Sequence, residues 1–226
     1  MTESQIVYED NHLLVINKQV GQLVQGDKTG DKSLLDEIKD FIKIRDRKPG
    51  NVFLGLVHRI DRPTSGLVIY AKTSKALSRL TQMVKNREIE KTYWAIVPKD
   101  MIPLEQKLVH YLRKNEKNNK ATVFEKVTEG AKEARLHYKV IRTLDNYYLL
   151  EIDLETGRHH QIRAQLAKIG IPIKGDLKYG APRSNPDGGI HLHARKLSFI
   201  HPVTKEAIEI IAPTNPQDKI WQACEK

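Results

Sequence analysis

Apolar residues recur along this chain with two spacings, and each spacing predicts a different element. Short apolar runs bounded by turn residues, Leu13 to Ile16, Val52 to Val57, Leu67 to Ala71 and Tyr93 to Val97, predict buried strands. Leu136, Tyr138 and Val140, then Tyr148, Leu150, Ile152 and Leu154, alternate with period two across the turn signal Asp145-Asn146, which predicts an antiparallel hairpin. Helical spacing governs Ser33 to Ile44, where Leu34, Leu35, Ile38, Phe41 and Ile42 form a stripe behind a Ser33 cap. It returns in Ser74 to Asn86, with Leu77, Leu80 and Val84 inward. A third helix is expected to open near Arg158, bury Ile162, Leu166 and Ile169, and stop at Gly170. Strands predominate without regular β-α alternation. The expected fold is therefore α+β, a mixed, mainly antiparallel central sheet flanked by helices.

No repeat, Gly/Ser linker or low-complexity tract divides residues 1–226, so a single domain is expected, with Lys114 to Lys120 and Gly180 to Gly189 as surface loops. The one cysteine, Cys224, excludes an intrachain disulfide framework and a cysteine-built zinc site, and favours a reducing, cytoplasmic compartment. Met1-Thr2-Glu3-Ser4-Gln5 lacks the marks of a signal peptide, and no stretch nears the roughly 18 apolar residues of a membrane span, so no membrane partner is expected. Charge adds one thing to the picture. With 38 Lys+Arg against 28 Asp+Glu the net charge is +10, which favours a polyanionic partner through counterion release.

Three stretches carry candidate chemistry. Val57-His58-Arg59-Ile60-Asp61-Arg62-Pro63-Thr64-Ser65-Gly66-Leu67 packs a carboxylate, two guanidiniums and an imidazole between two apolar strands. Such a segment is either a hydrogen-bonded turn or a site held on a rigid sheet. It is not a kinase catalytic loop, because Ile60 interrupts His-Arg-Asp and no Asn follows the Asp after four intervening residues. Nor does a second carboxylate stand beside Asp61, as glycoside hydrolysis needs. In Leu154 to Arg163 a strand ends at Gly157, and Arg158, His160 and Gln161 gather where the helix is expected to begin, a place suited to a phosphate or a base edge. The adjacent His159 and His160 have no third ligand in view, so no metal is expected. In Lys91-Thr92-Tyr93 strand alternation puts Lys91 and Tyr93 on one face, and Tyr93 is either a core ring or a stacking platform.

Together these stretches resemble the RluA-like RNA pseudouridine synthases. The family's His-Arg-Leu-Asp followed by Thr-Ser-Gly is similar to His58-Arg59-Ile60-Asp61 and Thr64-Ser65-Gly66, its Lys-x-Tyr to Lys91-Thr92-Tyr93, and its Thr-Gly-Arg-x-His-Gln-Ile-Arg to Thr156 through Arg163. Gly170-Ile171-Pro172-Ile173-Lys174-Gly175-Asp176, Tyr179-Gly180, Leu192 to Leu197 and His201-Pro202 continue the likeness. Three positions depart from the pattern. Gln19 replaces the proline of Asn-Lys-Pro-x-Gly, which predicts a looser loop near Lys18, while His159 and Gln165 stand where other residues are usual. Only about a dozen residues precede the Lys18 element, so no N-terminal S4 domain is expected.

The resemblance implies isomerisation of specific uridines in structured ribosomal or transfer RNA by a single catalytic domain, without a cofactor; a monomer is the default expectation. It implies that Asp61 attacks the ribose or removes its 2′ proton, that Arg163 pairs with this carboxylate, and that Tyr93 packs on the uracil. The uridine would be flipped out of its stack. His58, Arg59, Arg62, Thr64, Lys91, Arg158, His160 and Gln161 are the expected RNA contacts, with Lys72, Lys75, Arg79, Lys85 and Arg87 facing the flanking backbone. An RNA-binding module without catalysis is the rival from another class. A binder has little need for Asp61, which repels phosphate, amid arginines.

Overall fold

The computed structural model describes residues 2–26 and 30–225. In chain order the regular elements are β1 (Ile6–Glu9), β2 (Leu13–Lys18), α1 (Leu34–Arg45), β3 (Gly55–Leu56), β4 (Ser65–Ala71), α2 (Ser74–Asn86), β5 (Glu90–Pro98), β6 (Glu105–Asn115), β7 (Lys120–Phe124), β8 (Lys132–Thr143), β9 (Tyr147–Leu154), α3 (Gln161–Lys168), β10 (Leu192–Ile200), β11 (Ala207–Ile211) and α4 (Lys219–Glu225). The fold is α+β, as the patterning predicts. Two compact units are formed, neither continuous in sequence: residues 1–89 with 194–213, and residues 90–193 with 214–226. Among the described residues no helix is long and apolar enough to cross a membrane.

In the first unit the strand order runs β1, β2, β4, β10, with β3 also on β4 and β11 on β10. Leu13, Leu14, Val15 and Ile16 of β2 and Leu67 to Ala71 of β4 have no exposed surface, which is what a continuous apolar run means in a strand covered on both faces. Helix α1 begins where Ser33 accepts the amide of Asp36, and Leu34, Ile38 and Ile42 are its buried stripe, while Leu35 and Phe41 are half-buried. Helix α2 is capped by Thr73 and buries Ala76 and Leu80; Leu77 and Val84 are only half-buried. The strand expected over Val52 to Val57 shrinks to two paired residues, Gly55 opposite Ala71 and Leu56 opposite Tyr70. Its partner β4 already has β10 on its path, so only this short end of the strand takes β3 as well.

The second unit holds an antiparallel array in the order β5, β9, β8, β6, β7. The predicted hairpin is β8 and β9. Leu136, Tyr138, Leu150 and Ile152 are fully buried on its inner face. A register shift between Val140 and Arg142 ends the alternation early, leaving Val140 half-buried and Ile141 exposed. Leu149, on the face expected to be polar, is buried with Ile96 against Trp221 and Cys224 of α4. The expected loop Lys114 to Lys120 is the tip of the β6–β7 hairpin, with Asn115 and Lys120 paired at its base.

Candidate functional site

The Asp61 segment lies in the first unit, between β3 and β4. The Thr64 amide donates to the Asp61 carbonyl at 3.0 Å, closing a four-residue turn that leaves Asp61 half-buried and Arg59 exposed, with Ile60 anchoring the turn from inside. The His58 Nε2 accepts the Ile69 amide at 3.3 Å, which ties the segment to β4. At its far end Gly66 has φ +109°, and a Cβ there would collide with the carbonyl and amide of Ala194 on β10. Glycine is required twice over, by dihedral and by space.

Below this turn sits a group the sequence marks only as part of a motif. Lys18, the last residue of β2, has no exposed surface, and its Nζ donates to the carbonyls of Gln19 (2.9 Å), Gln22 (3.0 Å) and Arg62 (3.1 Å). Burial pushes its pKa down to about 7, against the upward pull of the Asp61 carboxylate and with a smaller downward push from Arg62. The loop expected to be looser without its proline is fastened by hydrogen bonds instead. The Gln19 amide, which a proline would lack, donates to Gln22 Oε1 at 2.9 Å, and the Gly21 amide donates to the Arg62 carbonyl at 3.0 Å.

The second unit supplies the other two stretches. Helix α3 starts at Gln161 rather than near Arg158, because His160, its N-cap residue, adopts φ 52°, ψ 28° and breaks the helical path. Arg158 and His160 therefore lie in the turn before the helix. Arg158 Nε donates to the Glu133 carbonyl at 2.8 Å. Gln161 is buried, accepting from Thr156 Oγ1 (2.8 Å) and the Arg158 amide (3.0 Å) while donating to the Arg135 carbonyl (3.0 Å). Gln161 thus ties the turn before α3 to β8. Thr64 is 2% exposed, and its hydroxyl has no hydrogen-bond partner among the described residues.

Arg163 is buried at 4% exposure and grips Asp176, itself 1% exposed, through Nε–Oδ2 at 2.7 Å and Nη2–Oδ1 at 2.9 Å. Its guanidinium carbon lies 5.1 Å from the centroid of the Tyr179 ring. Tyr93 is buried on β5 opposite Ile152, and burial holds the ammonium of neighbouring Lys91 below the usual lysine range. Asp176 and Tyr179 were legible only as motif letters; their Gly-Asp-x-x-Tyr-Gly spacing was the available signal. Among the basic residues expected to face RNA, Arg62 is paired with Asp31 at 3.0 Å and Lys72 with Glu9 at 2.7 Å, while Arg79 donates to the Pro202 carbonyl. Lys75, Lys85 and Arg87 are exposed. Among the described residues no cluster of three His, Cys, Asp or Glu is placed to hold a metal.

The chain is 35% identical over 218 residues to the "Uncharacterized RNA pseudouridine synthase YlyB" of Bacillus subtilis, covering 94% of this chain and 69% of that protein. It is 35% identical over 225 residues to a ribosomal large subunit pseudouridine synthase C of Vibrio vulnificus (96% and 68%), and 34% identical over 239 residues to a tRNA pseudouridine synthase C of Vibrio cholerae (96% and 93%). The fold is shared with human RNA pseudouridylate synthase domain containing 4, with a TM-score of 0.80 at 23% identity over 98% of this chain and 92% of that one. The family model described as RNA pseudouridylate synthase matches residues 12–168, a span that holds Lys18, Asp61, Tyr93 and Arg163, and the chain belongs to that family.

Proposed function

We propose that this protein converts particular uridines of ribosomal or transfer RNA into pseudouridine, with Asp61 as the carboxylate that attacks the ribose or takes its 2′ proton. The observation that carries the reading is the Asp61 carboxylate itself. It is half-buried at the head of β4, on a turn closed by Thr64, with the buried Lys18 within reach of its charge. Both routes use the carboxylate, as nucleophile or as base. Arg163 and Tyr93 take the family roles of guanidinium partner and ring platform, and the rigid seating of Arg163 on Asp176 suits a group that must present fixed donors.

The reaction detaches uracil from C1′, rotates it, and rejoins it through carbon-5, so the hydrogen on carbon-5 leaves as a proton. A paired uridine is out of reach of a side chain on a turn, and flipping it out costs a few kcal/mol that contacts to the flanking backbone offset. The exposed Arg59, two residues before Asp61, is suited to the phosphate at the vacated position. A monomeric, cytoplasmic enzyme belongs to the same proposal.

RNA labelled with tritium at carbon-5 of uridine, taken from cells lacking the protein, tests this. The wild type is expected to release tritium, and Asp61→Asn to release none while its RNA affinity stays within several-fold. Turnover by Asp61→Asn removes Asp61 from the chemistry.

A further inference from the structure

Taking Arg163 in the role just proposed, we propose that Tyr179 is a positioning residue, whose ring face sets the plane of the Arg163 guanidinium. The bidentate grip of Asp176 engages the edge of the guanidinium through Nε and Nη2 and does not cover its face. The ring of Tyr179, at 5.1 Å, lies against that face and attracts the cation through its own negative face. Charge and ring come from one short piece of chain. Asp176 precedes the 3₁₀ turn Leu177–Tyr179, and the amides of Tyr179 and Ala181 both donate to its carbonyl at 3.0 Å. The motif thus carries acid and ring three residues apart because one turn must deliver both to the same guanidinium.

Tyr179 is itself held by two neighbours. Its hydroxyl accepts the amide of Ala121 on β7 at 2.7 Å and lies 2.9 Å from His160 Nδ1, and the His160 and Tyr179 rings stand at 85° to one another. The left-handed backbone of His160, costly for a side chain other than glycine, is what turns that imidazole to this hydroxyl just ahead of the helix carrying Arg163. Lys120 adds a second cation 5.8 Å from the same ring. The family match ends at residue 168, short of both Asp176 and Tyr179.

The test separates ring from hydroxyl. Single-turnover tritium release, RNA affinity by filter binding and the thermal midpoint are measured for full-length wild type, Tyr179→Phe and Tyr179→Leu on the labelled RNA described above. Tyr179→Phe keeps the face and is expected within about 3-fold of the wild-type rate. Tyr179→Leu removes the face and is expected to lose at least 10-fold in rate, with RNA affinity within about 3-fold. A Tyr179→Leu rate equal to wild type overturns the role, and so does a loss that Tyr179→Phe shares in full.

Where Tyr179→Leu does not fold, a trifluorinated phenylalanine at position 179 keeps the ring's shape while draining its negative face. A slower rate than Tyr179→Phe supports the role, and an equal rate overturns it. Wild-type release matched by every variant sinks Tyr179 alone. No release by the wild type sinks the proposed function, and the Tyr179 role with it.

Discussion

At Lys18 the chain buries an ammonium that water would solvate far better, and three carbonyls plus the field of Asp61 are what hold it there. The consequence is a stability that depends on pH with a definite sign. In the unfolded chain this lysine titrates near 10.5, and in the fold near 7. Between those values the unfolded state keeps a proton that the folded state has shed, so raising the pH favours folding, by at most about 1.4 kcal/mol per pH unit for one proton. Below pH 7 both states hold the proton and the contribution is flat. Urea unfolding of the wild type and Lys18→Met isolates it. The difference in unfolding free energy, wild type minus variant, is expected to climb between pH 7 and 9.5 and to stay level below 6.5. Parallel curves across the whole range refute the depressed titration.

Elements that bury an alternating or helical stripe declare themselves in the sequence, and those completed by distant partners do not. The β8–β9 hairpin was legible because Leu136, Tyr138, Leu150 and Ile152 face one core with a turn signal between them. Helix α4 was not, since its seven residues offer only Trp221 and Cys224 as buried groups, and their face makes sense only once Ile96 and Leu149 are beneath it. The start of α3 was misplaced by three residues because nothing in a polar and apolar pattern signals a left-handed histidine. The site divides the same way. Asp61 stood out by its motif, but burial of Lys18 rests in part on the Arg62 carbonyl and the Asp61 charge, and that of Arg163 on Asp176, partners that no local pattern announces. Gly66 is the sharpest test at this scale. Its positive φ and the Ala194 backbone leave no room for a methyl, so Gly66→Ala must push β4 away from β10. A loss of roughly 2–4 kcal/mol in unfolding free energy is expected, from strain plus overpacking. A loss under about 0.5 kcal/mol in denaturant unfolding shows that the strand yields freely.

The charge of +10 belongs to the whole molecule, yet only part of it is placed to meet RNA. Arg45 and Lys72 share Glu9, Lys107 and Arg135 share Glu155, and Lys32 sits 2.7 Å from Asp40, so each of these cations already faces a carboxylate that repels phosphate. Lys75, Lys85 and Arg87 differ. They are exposed on or just after α2, the stretch of chain that follows the Asp61 turn and β4. Affinity for RNA through such residues comes from released counterions, which makes it a slope against salt rather than a single constant. Neutralising all three as Lys75→Gln, Lys85→Gln and Arg87→Gln is expected to lower the slope of log K against log salt by about 2 to 3, taking roughly 0.7 to 0.9 per lost phosphate contact. Lys32→Gln removes one positive charge from the net total but exposes no phosphate contact, so its slope should equal that of the wild type. If the triple variant instead keeps the wild-type slope while Lys32→Gln lowers it, the RNA runs over a different face from α2, and net charge alone was the wrong guide to it.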